Sequence, residues 1–234
     1  MMKKILVLSL IPFTQAIAAE PEQIQDMSDP LAVYTQAGIG VTDKGLNLKI
    51  GKAYDTGRDN TRAMNIIEVK GFGADSLGLD GSNSVDGIRF RNFGINTDTG
   101  LGSQVDLNWD FNANVGTGSY SFIQALPALS AVQLYPLAGI GLTVAETERG
   151  YDFPASFGVL GMYSRITLSD NIWLNYNPMW TTQLGGGDYS NSFGWAHEAA
   201  TNYQLNDRQT VRAFVNWGEV VNNTDLRIEF NHQF

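Results

Sequence analysis

The chain contains no cysteine and only two histidines, His197 and His232. Without cysteine there is no disulfide framework, no Cys-ligated metal site and no thiol to carry a lipoprotein anchor. Beyond residue 19 no apolar run reaches the roughly 18 residues that a membrane-crossing helix needs. Acids outnumber bases, 24 to 15, so the electrostatic footprint of a nucleic-acid binder is missing. The Asp-bearing stretch 78–83 lacks the carboxylate spacing of a calcium loop, and turn chemistry accounts for Asp80 and Asn83. Gly185-Gly186-Gly187 is followed by no helix, so it reads as a flexible external loop and not as a phosphate cradle. No cofactor or metal is expected.

What is present sits first at the two ends. Lys3 and Lys4 precede a short apolar run from Ile5 to Ile11, and Ala16-Ile17-Ala18 supplies small residues at cleavage spacing. Residues 1–19 read as a secretory signal peptide cut after Ala18 or Ala19. Its loss removes two lysines and no acid, taking the net charge from −9 to −11. About 215 residues remain, enough for one domain. At the other end Leu226, Ile228, Phe230, His232 and Phe234 alternate with Arg227, Glu229, Asn231 and Gln233. Period-2 alternation is the mark of a strand with one apolar face.

Between the ends, residues 20–30 are acidic and polar and are bounded by Pro21 and Pro30, which suggests an N-terminal lead in the periplasm, tucked against a barrel mouth. Residues 31–234 then form a regular series of strand-like segments, predicted at 31–42, 45–55, 62–73, 85–96, 102–113, 117–126, 131–146, 155–168, 171–184, 191–205, 208–219 and 224–234. Turn signals divide them: Asp43-Lys44-Gly45, Asp59-Asn60, Asp98-Thr99-Gly100, Ser169-Asp170-Asn171, Asn206-Asp207 and Asn222-Asn223. Val105, Leu107, Trp109 and Phe111 oppose Asp106, Asn108, Asp110 and Asn112. Val211, Ala213, Val215 and Trp217 oppose Arg212, Phe214 and Asn216. The fold class is therefore all-β, a transmembrane antiparallel up-and-down barrel of about twelve strands, with ten and eight as alternatives. Mean hydropathy near zero agrees, because only every second residue faces lipid. An even count places both termini on the periplasmic side. The longest connections, 74–84 and 147–154, then lie outside. Trp109, Phe111, Trp173, Tyr176, Trp180, Trp195, Tyr203, Trp217, Phe230 and Phe234 are expected at the membrane interfaces.

Three resemblances bear on this. A terminal strand ending in Phe resembles the sorting signal read by the barrel-assembly machinery of Gram-negative bacteria; Phe230 and Phe234 would carry it. Leu134 to Val144, Leu-Tyr-Pro-Leu-Ala-Gly-Ile-Gly-Leu-Thr-Val, resembles the Pro-aromatic-x-Gly-x-Gly strand of small outer-membrane barrels of the OmpA and OmpW type, with Tyr135 and Pro136 in reversed order. Twelve strands in this length also resemble the small monomeric porins for acidic sugars. Those porins have a strongly basic lumen, whereas this one is mixed, so their substrate is not implied. The resemblance implies a monomer in the bacterial outer membrane, in contact with its lipid.

The polar faces give the pore-lining candidates: Lys49, Glu68, Lys70, Arg89, Arg91, Asp106, Asp110, Arg165, Glu198, Arg212, Arg227 and Glu229. Opposite signs on neighbouring strands attract. The expected pairs are Lys49 with Glu68, Arg89 and Arg91 with Asp106 and Asp110, and Arg212 with Glu198 and Glu229. The expected function is a narrow passive channel for small polar solutes or ions. One alternative is a salt-bridged, plugged barrel that acts through its loops. A more distant one is a lipid-modifying enzyme. A Ser nucleophile would need a base and a group orienting that base. His197 and His232 both fall on outward rows, and Ser190 and Ser192 lie in or near a loop, so no enzymatic activity is expected.

Overall fold

The computed structural model describes residues 24–79, 81–187, 193–221 and 224–234. The readings for the signal peptide at 1–19, the start of the lead at Glu20 to Gln23, Asp80, Ser190, Ser192 and the Asn222-Asn223 turn fall outside these residues.

Twelve strands form one closed barrel: β1 Gln36–Thr42, β2 Gly45–Asp55, β3 Thr61–Phe72, β4 Gly87–Asn96, β5 Leu101–Asp110, β6 Val115–Gln124, β7 Val132–Thr147, β8 Gly150–Ser169, β9 Ile172–Gly186, β10 Trp195–Asn206, β11 Gln209–Gly218 and β12 Asp225–Gln233. Each strand pairs antiparallel with its sequence neighbours, and β1 closes on β12 with Gly38 opposite Asn231 and Gly40 opposite Glu229. The alternatives of ten and eight strands are thereby removed. Among the described residues one 3-10 turn, Asp75–Leu77, is present, in the loop between β3 and β4.

Two expected loops are strand instead. The stretch 147–154 was expected as a long connection, but only Glu148 and Arg149 turn, and β7 and β8 run on as a ladder through Thr147 opposite Gly150. The reason is local. The Thr147 hydroxyl accepts from the Arg149 N–H at 3.3 Å and donates to the Gly150 carbonyl at 3.0 Å, and Gly150 adopts φ 117°. The same four-residue device closes β1 to β2. There Thr42 accepts from the Lys44 N–H at 3.0 Å and donates to the Gly45 carbonyl at 3.3 Å, with Gly45 at φ 118°. Such a φ suits glycine alone, so Thr-x-x-Gly works as a tight hairpin. Gly185 and Gly186, expected in a loop, end β9.

The outward rows are largely apolar, with Lys52, Asn65, Asn92 and His197 among the exceptions. Ile39, Val41, Leu48, Ile50, Ile67, Leu107, Phe122, Ile140, Leu142, Leu160, Leu226 and Ile228 all stand exposed, Ile140 to 66% and Ile228 to 63%. A continuous apolar belt of this extent belongs against lipid hydrocarbon and not against water. Trp109, Trp195 and Trp217 lie on these rows toward the strand ends. Trp173 does not: it is 3% exposed and faces Asn202 and Thr167 on inward positions, so it fills the barrel interior instead of an interface.

Candidate functional site

The inward rows converge on a cavity of about 290 Å³. Its walls carry two kinds of side chain, sorted along the barrel axis by strand register. Toward the end where both termini lie, Met64, Ile66, Phe93, Ile123, Tyr135 and Leu137 form an apolar cluster. Farther along the same strands come Glu68, Arg89, Arg91 and Asp106.

The lead enters the apolar end, and it is longer than expected: residues 31–35, predicted as the start of the first strand, are not strand and continue the lead as far as β1. Leu31 and Val33 pack into that cluster, and Met27 is buried. Polar contacts fix it from two sides. Arg165 of β8 donates through Nη1 to Asp26 at 2.8 Å and to the Ser28 hydroxyl at 2.7 Å. Gln233 of β12 accepts from the Gln25 N–H at 3.1 Å and donates to its carbonyl at 2.9 Å. Met27, Ser28, Asp29, Pro30, Ala32 and Tyr34 thus form part of the cavity wall. Burial pushes the Tyr34 phenol up to about 12, so it stays neutral and keeps its proton as a donor.

The charged residues make two networks. In one, Lys49 Nζ lies 2.5 Å from Glu229 Oε1, and Arg227 lies 3.6 Å from both Glu229 and Glu198. In the other, Arg89 grips Asp106 through Nε at 2.8 Å and through Nη2, Arg91 pairs with Glu68, and Lys70 stands 4.0 Å from Glu68. Two expected pairings are corrected. Lys49 and Glu68 face each other in the register, yet the ammonium of Lys49 turns across β1 to Glu229 on β12. It can do so because β1 presents Gly38 and Gly40 inward. A Cβ on Gly38 would sit 3.2 Å from the Lys49 stem and 2.5 Å from Asn231 Oδ1. Arg212 pairs with neither Glu198 nor Glu229; Arg227 takes both. A third expectation, Asp110 as a partner of Arg89 and Arg91, also fails. Asp110 ends β5 and accepts from the Asn112 and Ala113 N–H groups at 2.8 Å, which makes it a turn residue at the rim.

Several lumenal residues carry no charge and were not picked out from the sequence. Asn175, Asn177 and Asn202 are buried on β9 and β10, and Phe214 has the guanidinium of Arg227 at 4.1 Å and that of Arg212 at 4.7 Å from its ring centroid. Their signal was available: all lie on the inward parity of their strands, and a buried amide in a barrel wall needs a partner.

The two histidines stay on the outer face. His197 stacks between Trp195 and Trp217, with centroids at 5.7 and 5.3 Å, and its Nδ1 meets the Tyr176 hydroxyl at 3.0 Å. His232 lies edge-on to Phe234 at 4.8 Å. Among the described residues no group of three or more His, Asp and Glu could hold a metal ion.

No family model and no curated protein matches the chain. Solved structures do. An outer-membrane channel from Pseudomonas putida F1 superposes with a TM-score of 0.62 at 10% identity, over 92% of this chain and 100% of that one. The NanC porin superposes with a TM-score of 0.53 at 10% identity, over 87% of this chain and 99% of that one. The chain shares the outer-membrane barrel fold of both. Identity at this level carries the fold alone; the contents of the lumen belong to this sequence.

Proposed function

We propose that the protein is an outer-membrane channel for passive passage of small polar solutes or ions, monomeric, with both termini in the periplasm. The observation that carries this reading is a cavity inside a twelve-stranded barrel whose strand-borne lining includes five cations, Lys49, Arg89, Arg91, Arg212 and Arg227, and three carboxylates, Glu68, Glu198 and Glu229. Twelve strands stand between the eight that side chains fill and the sixteen that leave open water. A wall of fixed charges selects by sign and size where the passage is narrow. The channel-type barrels with the same fold support the reading. It includes no enzymatic step: the ring nitrogen of His197 is tied to Tyr176 within an aromatic stack on the lipid side.

A second reading has one observation in its favour. The lead occupies one mouth and the ion pairs bridge much of the interior, which suits a filled barrel that works through its loops. Single-channel recording separates the two. Full-length mature protein, refolded and inserted in a planar bilayer, is expected to give discrete current steps. In a salt gradient the reversal potential is expected to show the cationic excess. Silence from protein whose insertion is verified independently sinks the channel reading and leaves the filled one.

A further inference from the structure

We propose that Arg212 is the docking point for the carboxylate of a small organic anion inside the lumen, a role that rests on the channel reading. Arg62 stands exposed at the rim; of the seven other cations on the inward rows, six are paired: Lys49, Lys70, Arg89, Arg91, Arg165 and Arg227 each have a carboxylate within 4.0 Å. Among the described residues Arg212 has none. Glu229 is its register partner on β12, but that carboxylate is spent on Lys49 and Arg227.

What holds Arg212 is neutral. Its Nε donates to Asn202 Oδ1 at 2.6 Å and its Nη2 to Asn175 Oδ1 at 3.3 Å. Asn202, fully buried, donates in turn to Asn175 Oδ1 at 2.8 Å and to the Trp173 carbonyl at 3.1 Å. Asn175 donates to the Ser164 carbonyl at 2.7 Å. The chain of amides ends on the backbones of β8 and β9, so it fixes the guanidinium without cancelling its charge. Phe214 supports one face. The Nε side of the fork is filled, and the Nη1 side remains for a ligand. A part-buried guanidinium with no carboxylate within 4.0 Å keeps its pull on an anion, and here the group lines the cavity.

The chemistry selects the occupant. A guanidinium edge matches a carboxylate with two parallel N–H donors. Asn177 and Tyr34 line the same space and add neutral polar contacts. A cavity of about 290 Å³ holds on the order of ten waters' liquid volume, which admits a small carboxylate. A conducting site must also release its solute, so binding is expected in the millimolar range.

The test uses full-length mature protein in detergent and in bilayers, with acetate as the probe. Saturation-transfer NMR is expected to show acetate bound to wild type and binding weakened at least tenfold in Arg212→Gln. Retained heat-modifiable gel mobility would show that the variant folds. A second variant, Lys70→Gln, removes a cation that already faces Glu68 and does not line this cavity, and is expected to leave acetate binding unchanged. In bilayers, Arg212→Gln is expected to lower anion preference in the reversal potential. Equal acetate binding by wild type and Arg212→Gln, or no binding to wild type, overturns the proposal. Arg212-dependent binding in a barrel that passes no current keeps the site and overturns the channel reading.

Discussion

At the scale of single residues, the lumen depends on which partner each charge finds. Lys49 and Glu229 are both largely removed from solvent and 2.5 Å apart. Removing Glu229 leaves Lys49 with no carboxylate within 4.0 Å, whereas removing Lys49 leaves Glu229 its looser contact with Arg227 at 3.6 Å. Glu229→Leu is therefore expected to destabilise the barrel by about 3–5 kcal/mol, while Lys49→Met with Glu229→Leu is expected to recover most of that. Urea unfolding in detergent micelles, run as a double-mutant cycle, measures both. Equal losses in the single and double variants would count against the pair as the controlling contact. The sequence showed that both residues face inward, because parity along a strand decides that. It did not show that they meet. They are 180 positions apart, and the contact exists only because Gly38 leaves room across a strand that lies between them. Arg212 is the converse case: its register partner is an acid, yet the acid is taken by stronger competitors, and competition of that kind is invisible without coordinates.

At the scale of elements, strand positions were nearly all legible, because alternation and turn residues are local signals. The misread stretch, 147–154, failed for a local reason too: a Thr-x-x-Gly turn is shorter than the charged run Glu146 to Arg149 suggests. The lead was legible as a polar, Pro-bounded segment at the barrel mouth, but not its extent, because the apolar residues Leu31 and Val33 read as strand and instead fill the interior. Its seating depends on wall residues from β7, β8 and β12. Removing residues 20–33 takes away Leu31, Val33 and the partners of Arg165 while leaving every strand intact. Single-channel conductance is expected to rise several-fold over full length, with the closed-barrel gel mobility unchanged. Equal conductance in the two would mean that the lead does not limit passage.

At the scale of the whole molecule, the fold is a partition of surfaces: apolar rows outward, polar and charged rows inward. That partition was the clearest message of the sequence, since one residue in two repeats it for about two hundred positions. Its energetic weight is testable at one point. Ile140 is exposed on the outer belt near the middle of β7. Ile140→Arg is expected to cost about 2–4 kcal/mol in a bilayer, as cations near the midplane of outer-membrane barrels do. Reversible unfolding from lipid vesicles checks it, and a loss below about 0.5 kcal/mol would place that position outside the hydrocarbon region.

The polar clamps on the lead have a temporal consequence. Gln233 and Arg165 stand on strands that are distant in the chain, and Phe234 gives its backbone N–H to the Thr35 carbonyl at 3.0 Å, where the lead joins β1. No half-built sheet offers all of these at once. A polypeptide caught partway through assembly would leave residues 24–35 open to a protease, and a completed one would hide them. The lead is thus a latch that can engage only after the seam between first and last strands has closed, and its protection from digestion counts finished barrels.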